Sequence, residues 1–218
     1  MIVYTVKDGK YFPAAESFKN DSSNLRGVYV NLTNRCNNDC AFCLRDKKVM
    51  SAEKTLWLDN EPTVDEVKVE IDKINFELVK EIVFCGFGEP TIRLDALTEL
   101  LRYIKNSYAK IPTRLNTNGL GNLEHGRDIT PDFENILDVA SISLNASTAE
   151  RYLQITRSKF GLQAYGAMLD FAERMKNFVP QVVMTIVDKV TPPDEIEACR
   201  KICDEHGLKL RIRLYEAN

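Results

Sequence analysis

Three cysteines within one short segment carry the strongest chemical signal in the sequence. Cys36, Cys40 and Cys43 stand in the stretch TNRCNNDCAFC. Soft thiolate ligands select zinc, copper(I) or iron–sulfur clusters. A structural zinc site normally takes four ligands, and four-iron ferredoxin sites also use four cysteines, at other spacings. Three thiolates on a four-iron cluster would leave one iron open to an exogenous ligand, while structural zinc and incidental packing are the alternatives.

The other cysteines are predicted to be packing residues. Cys85 is expected to lie inside the second core strand, and Cys199 and Cys203 are four residues apart on a predicted helix, where they share one face. Free cysteine usually behaves as a small buried hydrophobic residue. With only two histidines in the chain, mixed Cys/His zinc sites and histidine acid–base chemistry are disfavoured.

The composition is typical of one soluble globular domain. The chain has 218 residues, of which 44% are hydrophobic and 28% charged. The net charge of −3 gives no electrostatic footprint for a nucleic-acid backbone. No apolar run approaches the roughly 20 residues that a bilayer requires. The N-terminus has no evident secretory signal, so we expect a cytoplasmic protein with reduced thiols.

Short apolar runs alternate with helical patterns, which predicts βα units around a parallel sheet. The first residues predict a β-hairpin that turns at Asp8–Gly9, and a polar stretch at Glu16–Asn24 leads to the first core strand. Six core strands are predicted, at Gly27–Thr33, Glu81–Cys85, Thr113–Thr117, Val139–Asn145, Gln181–Asp188 and Leu208–Tyr215. Helices are predicted at Val64–Lys80, Leu94–Tyr108, Thr148–Leu153, Leu162–Asn177 and Asp194–His206.

The strand faces favour an open barrel over a doubly wound sheet. In the fourth core strand Ile142 and Leu144 alternate with Ser141 and Ser143, and the sixth strand alternates in the same way. A doubly wound sheet buries both faces of its strands, whereas a polar face opposite the helices indicates a lumen that holds a polar ligand. We therefore predict an α/β fold, a partial (β/α)6 TIM-like barrel. The N-terminal hairpin extension is assigned to residues 1–26 and the core domain to residues 27–218.

The cysteine segment resembles the signature of radical S-adenosylmethionine (SAM) enzymes: C-x3-C-x2-C at the end of a first strand, with an aromatic residue, here Phe42, before the last cysteine. The resemblance implies that Cys36, Cys40 and Cys43 bind a [4Fe–4S] cluster whose open iron is chelated by SAM. It further implies an enzyme in which an electron from the cluster cleaves SAM to methionine and a 5′-deoxyadenosyl radical, which abstracts hydrogen from a substrate. More narrowly, TNRCNNDCAFC and the final YEAN are similar to the TatD family-associated radical SAM proteins, a subgroup that brings no known substrate.

Segments after the later strands resemble the same family. FCGFGEP at 84–90 looks like its glycine-rich turn, which binds the amino group of SAM, although Phe87 stands where glycine is common. NTNG at 116–119 and SISLN at 141–145 are similar to its third- and fourth-strand segments. Ile186 resembles the apolar residue that packs against adenine. The residues that the resemblance assigns to the cofactors are Phe42, Gly86, Gly88, Glu89, Pro90, Asn116, Asn118, Ser143, Asn145 and Ile186. On residue type alone, many of these are ordinary turn and N-cap residues.

The resemblance also implies partners, namely an electron donor of the flavodoxin or ferredoxin type and an unidentified substrate. A barrel of six strands should have an open side that admits a large substrate. A glycyl-radical activase acting on a partner protein is therefore the main alternative, and small-molecule chemistry is equally open. An iron–sulfur electron carrier or a SAM-binding protein without turnover ranks lower, because a carrier has no need for the glycine-rich and fourth-strand segments.

Arg211 and Arg213 stand on the polar face of the sixth strand. If that face lines the lumen, the two guanidinium groups can bind a carboxylate or phosphate of the substrate. If it does not, they form a solvated edge.

Overall fold

The secondary structure consists of short strands and helices that alternate along the chain. The structure, a computed structural model, describes residues 1–20, 24–48, 50 and 55–215. Within them the strands are β1 (Val3–Lys7), β2 (Lys10–Pro13), β3 (Arg26–Val30), β4 (Val79–Phe84), β5 (Thr113–Thr117), β6 (Val139–Ser143), β7 (Gln181–Val187) and β8 (Lys209–Arg213). The α-helices are α1 (Ala14–Asn20), α2 (Leu44–Lys47), α3 (Val64–Asp72), α4 (Leu94–Ser107), α5 (Gly121–His125), α6 (Ala149–Thr156), α7 (Gln163–Met175) and α8 (Pro193–Glu205). No described helix has the length and hydropathy of a membrane span.

The described strands form one sheet in the order β2-β1-β3-β4-β5-β6-β7-β8. From β3 to β8, each strand pairs in parallel with the next strand of the chain. This connection pattern is that of a βα barrel, in which the loops after the strands gather at one rim. The sheet ends at β2 and β8, so the barrel is open between them. The predicted partial barrel with an N-terminal hairpin is confirmed.

The N-terminal hairpin belongs to the same sheet. Asp8 (φ 50°) and Gly9 (φ 70°) both have left-handed backbone conformations, which a two-residue turn needs to match the twist of its strands. β1 then pairs antiparallel with β3, and Tyr4 lies opposite Tyr29. The hairpin thus brings side chains to the barrel interior, and the domain boundary at residue 26 stays a prediction.

Three of the described helices were not predicted from the sequence. The polar stretch at Glu16–Asn24 begins inside a helix, α1, which buries Ala14 and Phe18 on one face. The helix was not predicted because its seven residues show only a short apolar pattern. Residues 21–23 of the polar stretch lie outside the described residues. The short helices α2 and α5 were also not predicted, because four or five residues are too few to show a helical period.

The predicted helix at Val64–Lys80 is too long. α3 ends at Asp72, and a 3-10 turn then leads into β4. The turn begins after Asn75, whose side-chain oxygen accepts a hydrogen bond from the Glu77 N–H at 3.1 Å. Such local side-chain bonds compete with helix continuation, which explains the early end.

Alternate strand residues face the helices and the lumen. On β7, Met184 and Ile186 are fully buried in the core, whereas Thr185 lines the central cavity. Ile212 on β8 and Leu214 just after it are 43% and 78% exposed. The predicted packing of that apolar face under helices is therefore wrong for the second half of the strand, because β8 is an edge strand.

Candidate active site

A cavity of about 570 Å³ opens at the carboxyl ends of the parallel strands. Two groups of side chains give it chemically different ends. We call the group around Cys36, Cys40 and Cys43 the cysteine end, and the group of Arg114, Arg211 and Arg213 the arginine end. All but two of the predicted site residues line this cavity, namely Cys36, Cys40, Phe42, Cys43, Gly86, Gly88, Glu89, Asn116, Asn118, Ser143, Asn145, Arg211 and Arg213.

The loop that carries the cysteines is held by main-chain hydrogen bonds to the end of α6. The Asp39 N–H donates to the Thr156 carbonyl at 2.8 Å, and the Ala41 N–H donates to the Ile155 carbonyl at 2.9 Å. Because these bonds are made within the chain, they hold the loop in shape independently of a ligand.

The three thiols are half-buried and affect one another's ionisation. Burial raises the pKa of Cys36 to about 11 and that of Cys40 to about 12, and neighbouring negative groups add to both shifts. Burial also raises the pKa of Cys43. The thiols are therefore protonated before metal binding, which must release these protons.

The donor set fits a four-iron cluster with one open iron. Three soft sulfur ligands from one loop line the cavity. Among the described residues, no three Cys, His, Asp or Glu side chains are grouped tightly enough to hold a single metal ion. The side-chain oxygen of Asn116 is buried, and no described residue donates a hydrogen bond to it. The cavity therefore also offers an acceptor to a polar ligand.

Glycines are required where the turn after β4 packs on the cysteine loop. A Cβ atom at Gly86 would lie 2.0 Å from Asn31 Oδ1, and one at Gly88 would lie 2.5 Å from the Arg35 carbonyl oxygen. The Glu89 N–H donates to the same Arg35 carbonyl at 2.8 Å. The turn and the loop therefore form one packed unit, which is a reason for glycine in addition to the predicted contact with SAM.

Glu89 is buried, and its carboxylate accepts several hydrogen bonds from this chain. Oε1 accepts from the Thr91 N–H (3.1 Å), the Thr91 hydroxyl (2.8 Å) and the Thr117 hydroxyl (2.7 Å). Oε2 accepts from the Asn118 N–H at 2.8 Å. Burial raises the pKa of Glu89, and these hydrogen bonds oppose the shift. Through its hydrogen bonds with Thr117 and Asn118, the Glu89 carboxylate joins the glycine turn to the end of β5.

Asn118 links the end of β5 to the cysteine loop. Its side-chain amide donates to Asn37 Oδ1 and lies 3.9 Å from the Cys36 sulfur. Its side-chain oxygen accepts from the Leu120 N–H at 3.0 Å. The Asn118 amide is therefore beside a predicted cluster ligand.

Ser143 and Asn145 stand at the carboxyl end of β6. Both line the cavity, and Asn145 has a φ of 62°, a left-handed conformation that asparagine tolerates better than most residues. The Leu144 N–H between them donates to the Thr185 carbonyl at 2.9 Å. This bond leaves the two polar side chains on the cavity side.

Two predicted cofactor residues lie elsewhere. Ile186 is fully buried in the core and is not among the described residues of the lining, whereas Val187 lines the cavity. The prediction for Ile186 was wrong because successive strand residues point to opposite faces. Pro90 is also outside this lining; it is buried and begins a 3-10 turn.

The cysteines outside the loop differ from one another. Cys85 lies just past β4 and lines the cavity, with the Tyr4 hydroxyl 3.5 Å from its sulfur. Its predicted packing inside the strand is therefore wrong. Cys199 and Cys203 are buried in the core, and their predicted packing role is confirmed.

The arginine end combines side chains from β5 and β8. Arg211 Nη2 donates to the Ser141 hydroxyl at 2.9 Å, and Arg114 Nη2 donates to the Glu81 carboxylate at 2.8 Å. Burial lowers the pKa of Arg211, and the positive charges of Arg114 and Arg213 lower it further. Of the two alternatives for Arg211 and Arg213, the structure shows the position in the lumen, since both line the cavity.

Sequence reasoning missed Arg114 and the tyrosines of the cavity wall. Arg114 alternates with the buried Leu115, and this signal indicates the lumen face. Tyr4 and Tyr29 also line the cavity, and their rings stack with centroids 5.3 Å apart. Tyr4 lies in the hairpin, which was predicted only as an extension, whereas Tyr29 lies on β3, for which no inward-facing residue was predicted.

The sequence matches the radical SAM superfamily over residues 30–203. A GTP 3′,8-cyclase of Corynebacterium glutamicum is 36% identical over 141 residues, which cover 61% of this chain and 34% of that protein. A GTP 3′,8-cyclase of Mycobacterium sp. (strain KMS) is 26% identical over 207 residues, which cover 92% of this chain and 53% of that protein. The chain thus spans about a third to about half the length of these curated relatives.

Solved structures share the fold. Streptococcus suis SuiB bound to its precursor peptide SuiA matches with a TM-score of 0.66 and 14% identity, over 92% of this chain and 42% of that one. A radical SAM methyltransferase from Sphaerobacter thermophilus matches with a TM-score of 0.62 and 17% identity, over 87% of this chain and 55% of that one. Since the family match covers most of its length, the chain belongs to the radical SAM superfamily, whose members use a [4Fe–4S] cluster and SAM.

Proposed function

We propose that this chain binds a [4Fe–4S] cluster through Cys36, Cys40 and Cys43 and catalyses a radical SAM reaction. The observation that carries the proposal is that the three sulfurs and the polar ends of several strands line one cavity. When bound, the cluster supplies the electron that cleaves SAM to methionine and a 5′-deoxyadenosyl radical, which abstracts hydrogen from the substrate. The chain itself must orient SAM and substrate and exclude competing reactions.

The polar contacts to SAM are assigned to the glycine turn and the end of β6. The backbone of residues 86–89 receives the amino group, because the Glu89 carboxylate already accepts four hydrogen bonds. Ser143 and Asn145 bind the carboxylate and ribose. The buried, unpaired oxygen of Asn116 is a further acceptor for SAM or substrate.

The apolar contacts to SAM and the support of the cluster come from other residues. Val187 replaces Ile186 as the residue that packs against adenine, because Val187 lines the cavity. Phe42 lies in the cavity wall one residue before Cys43. Asn118 supports the cysteine end through its amide, 3.9 Å from the sulfur of Cys36.

Arg211 and Arg213 bind an anionic group of the substrate. Like charges in one confined space repel unless an anion lies between them, and both side chains line the cavity. The carboxylate of SAM is the rival ligand. Equilibrium dialysis with SAM distinguishes the two, since Arg213→Gln lowers SAM affinity only if the arginines serve SAM.

The substrate is a small anionic molecule, and the electron donor is of the flavodoxin or ferredoxin type. Arginines inside a cavity favour a small molecule over the protein substrate of a glycyl-radical activase. GTP is a first compound to assay, because the relatives are named GTP 3′,8-cyclase. A peptide is a second, because the SuiB structure holds one. The cytoplasmic location and the TatD family-associated subgroup stay predictions.

Anaerobic reconstitution tests the proposal. The wild-type chain should bind about four iron atoms and form 5′-deoxyadenosine from SAM in the presence of a strong reductant. Cys36→Ala, Cys40→Ala and Cys43→Ala should each lose the EPR signal of the cluster and the product. Cys199→Ala is the matched control, because that cysteine is buried in the core away from the cavity.

Two results would redirect the proposal. A complete four-iron signal in all three cavity variants would refute the ligand assignment. A normal cluster that never cleaves SAM would identify an electron carrier or a SAM-binding protein.

A further inference from the structure

Two arginines at the arginine end have buried hydrogen-bond donors without a partner. The Nε atoms of Arg114 and Arg211 are out of contact with solvent, and no described residue accepts a hydrogen bond from them. The neighbouring nitrogen on the same edge of each guanidinium, Nη2, is bonded, to Glu81 for Arg114 and to Ser141 for Arg211. An unpaired buried donor costs free energy, so two of them beside one cavity indicate an acceptor that a ligand supplies.

The charge at this end is also unbalanced. Arg114, Arg211 and Arg213 all line the cavity, and Glu81 is the carboxylate that acts on Arg211. Glu81 is not part of the described lining, and the carboxylate that is, Glu89, accepts its hydrogen bonds beside Asn118 at the cysteine end. Three guanidinium groups against one carboxylate leave two positive charges for a ligand to neutralise.

We propose that Arg114 acts with Arg211 and Arg213 to bind a doubly negative, phosphate-type group of the substrate. This inference rests on the proposed function and names the class of substrate for the same cavity. It also makes Arg114 a specificity-determining residue.

The shape and charge of a phosphate fit this end better than those of a carboxylate. The donors come from β5 and β8, which are separated in the sheet by β6 and β7. A carboxylate offers two oxygens in one plane, whereas the three terminal oxygens of a phosphate monoester accept from several directions. A phosphate monoester also carries nearly two negative charges near neutral pH. Arginine forks are suited to such oxyanions.

Phenyl phosphate and benzoate form a matched pair of probes, because they share a ring and differ in the charge and shape of the anion. Both are titrated by calorimetry into the anaerobically reconstituted chain at pH 8. We expect the wild-type chain to bind phenyl phosphate about tenfold more tightly than benzoate, and Arg114→Gln and Arg211→Gln each to lower phenyl phosphate affinity about tenfold.

Arg114→Lys keeps the charge and the pairing with Glu81, so it should fold even where Arg114→Gln does not. It should still weaken binding severalfold, because lysine lacks the fork. Arg102→Gln, on the exposed face of α4, should have no effect.

Three results would overturn the inference: equal affinity for the two probes, no binding of phenyl phosphate by the wild-type chain, or unchanged affinity in both Arg114 variants. SAM cleavage is measured on the same preparations. Cleavage of SAM without binding of phenyl phosphate removes this inference alone, whereas arginine-dependent binding without SAM cleavage removes the proposed function.

Discussion

The two ends of the cavity differ in whether the hydrogen bonds of their buried charged side chains are made within the chain. At the cysteine end, the Glu89 carboxylate accepts hydrogen bonds from Thr91, Thr117 and Asn118. At the arginine end, Arg114 and Arg211 each keep a buried Nε without an acceptor among the described residues. A buried polar group whose hydrogen bonds are made within the chain is fixed in place, whereas an unused donor is available to a ligand. We therefore interpret the cysteine end as a rigid frame that holds the cofactors and the arginine end as the surface that binds the substrate.

The largest effect is expected where the glycine turn packs on the cysteine loop. A Cβ atom at Gly88 would lie 2.3 Å from the Thr33 carbonyl oxygen and 2.5 Å from that of Arg35. These are backbone atoms and cannot rotate away, so Gly88→Ala must displace the loop. A shift of about 1 Å at a reacting site can cost on the order of a hundredfold in rate. We expect a loss of that order in 5′-deoxyadenosine formation, with lower iron content.

Gly166→Ala is the control for this prediction. Gly166 lies in α7, and no atom is within 4 Å of the position that its Cβ would occupy. Replacing a helical glycine by alanine should stabilise the chain by about 0.5–1 kcal/mol without changing iron content. Wild-type iron content and activity in Gly88→Ala would mean that the cysteine end is not a rigid frame.

Glu89→Gln should destabilise the fold. The amide nitrogen of glutamine cannot accept the hydrogen bond that the Asn118 N–H or the Thr117 hydroxyl now makes. A buried donor left unpaired costs about 1–3 kcal/mol, which urea denaturation measures. Glu134→Gln, at an exposed position, should change the free energy of unfolding little. Equal stability of both variants would contradict a structural role for the Glu89 carboxylate.

The pH dependence of this difference has a definite sign. Burial holds the pKa of Glu89 above its unfolded value of about 4.3. The folded chain therefore binds the proton more tightly than the unfolded chain. The stabilisation from protonated Glu89 is present below about pH 4 and is lost as pH rises through the folded pKa. The stability advantage of the wild-type chain over Glu89→Gln should therefore shrink from pH 4 toward neutrality. An advantage that grows over this range would mean that the hydrogen bonds outweigh burial.

Ser143→Ala should weaken SAM binding by a smaller factor. Ser143 is only half-buried, so its hydroxyl should contribute the net value of an ordinary hydrogen bond. That value is about 0.5–1.5 kcal/mol, or roughly two- to tenfold in the dissociation constant for SAM. Ser107→Ala, at the exposed end of α4, is the control. Unchanged affinity in Ser143→Ala would move the SAM site away from β6, and unchanged iron content is expected in either case.

The cysteine end could be predicted from the sequence because its chemistry is local. Cys36, Cys40 and Cys43 lie on one loop, and their spacing is visible without a fold. The arginine end depends on tertiary structure instead. Arg114 and Arg211 are far apart in the chain, and the folding of β5 and β8 into one sheet brings their charges together. Alternation along each strand indicated the lumen face, but it did not reveal which of the polar residues share a ligand.

The errors at Ile186 and Cys85 have a common physical cause. A shift of one residue in a strand moves a side chain to the opposite face. The resemblance assigned the adenine contact to Ile186, whereas the strand directs Val187 to the cavity. Cys85 was predicted to pack inside the second strand, but Phe84 before it faces the core, so alternation directs Cys85 to the cavity. Fold class depends on periodicity and tolerates such shifts, while the identity of a site residue does not.

The smallest expected effect has the opposite sign to that of Glu89→Gln. Arg213 lines the cavity and makes no hydrogen bond or ion pair within the part of the chain that the structure describes. Burial is the largest cause of the lowered pKa of Arg211, and the positive charges of Arg114 and Arg213 lower it further. The three cations therefore repel one another. Arg213→Gln should therefore raise the free energy of unfolding by a few tenths of a kcal/mol, since partly exposed charges are screened.

Salt dependence identifies the origin of this gain. The gain should be present at low ionic strength and vanish near 1 M salt, where the Debye length is about 3 Å. Arg102→Gln, on the exposed face of α4, should change the free energy of unfolding at neither salt concentration. A loss of stability in Arg213→Gln comparable to that in Glu89→Gln would mean that the charged side chains at both ends of the cavity stabilise the fold. A gain would mean that the arginine end is kept for a ligand at a cost in stability, as ligand sites in proteins commonly are.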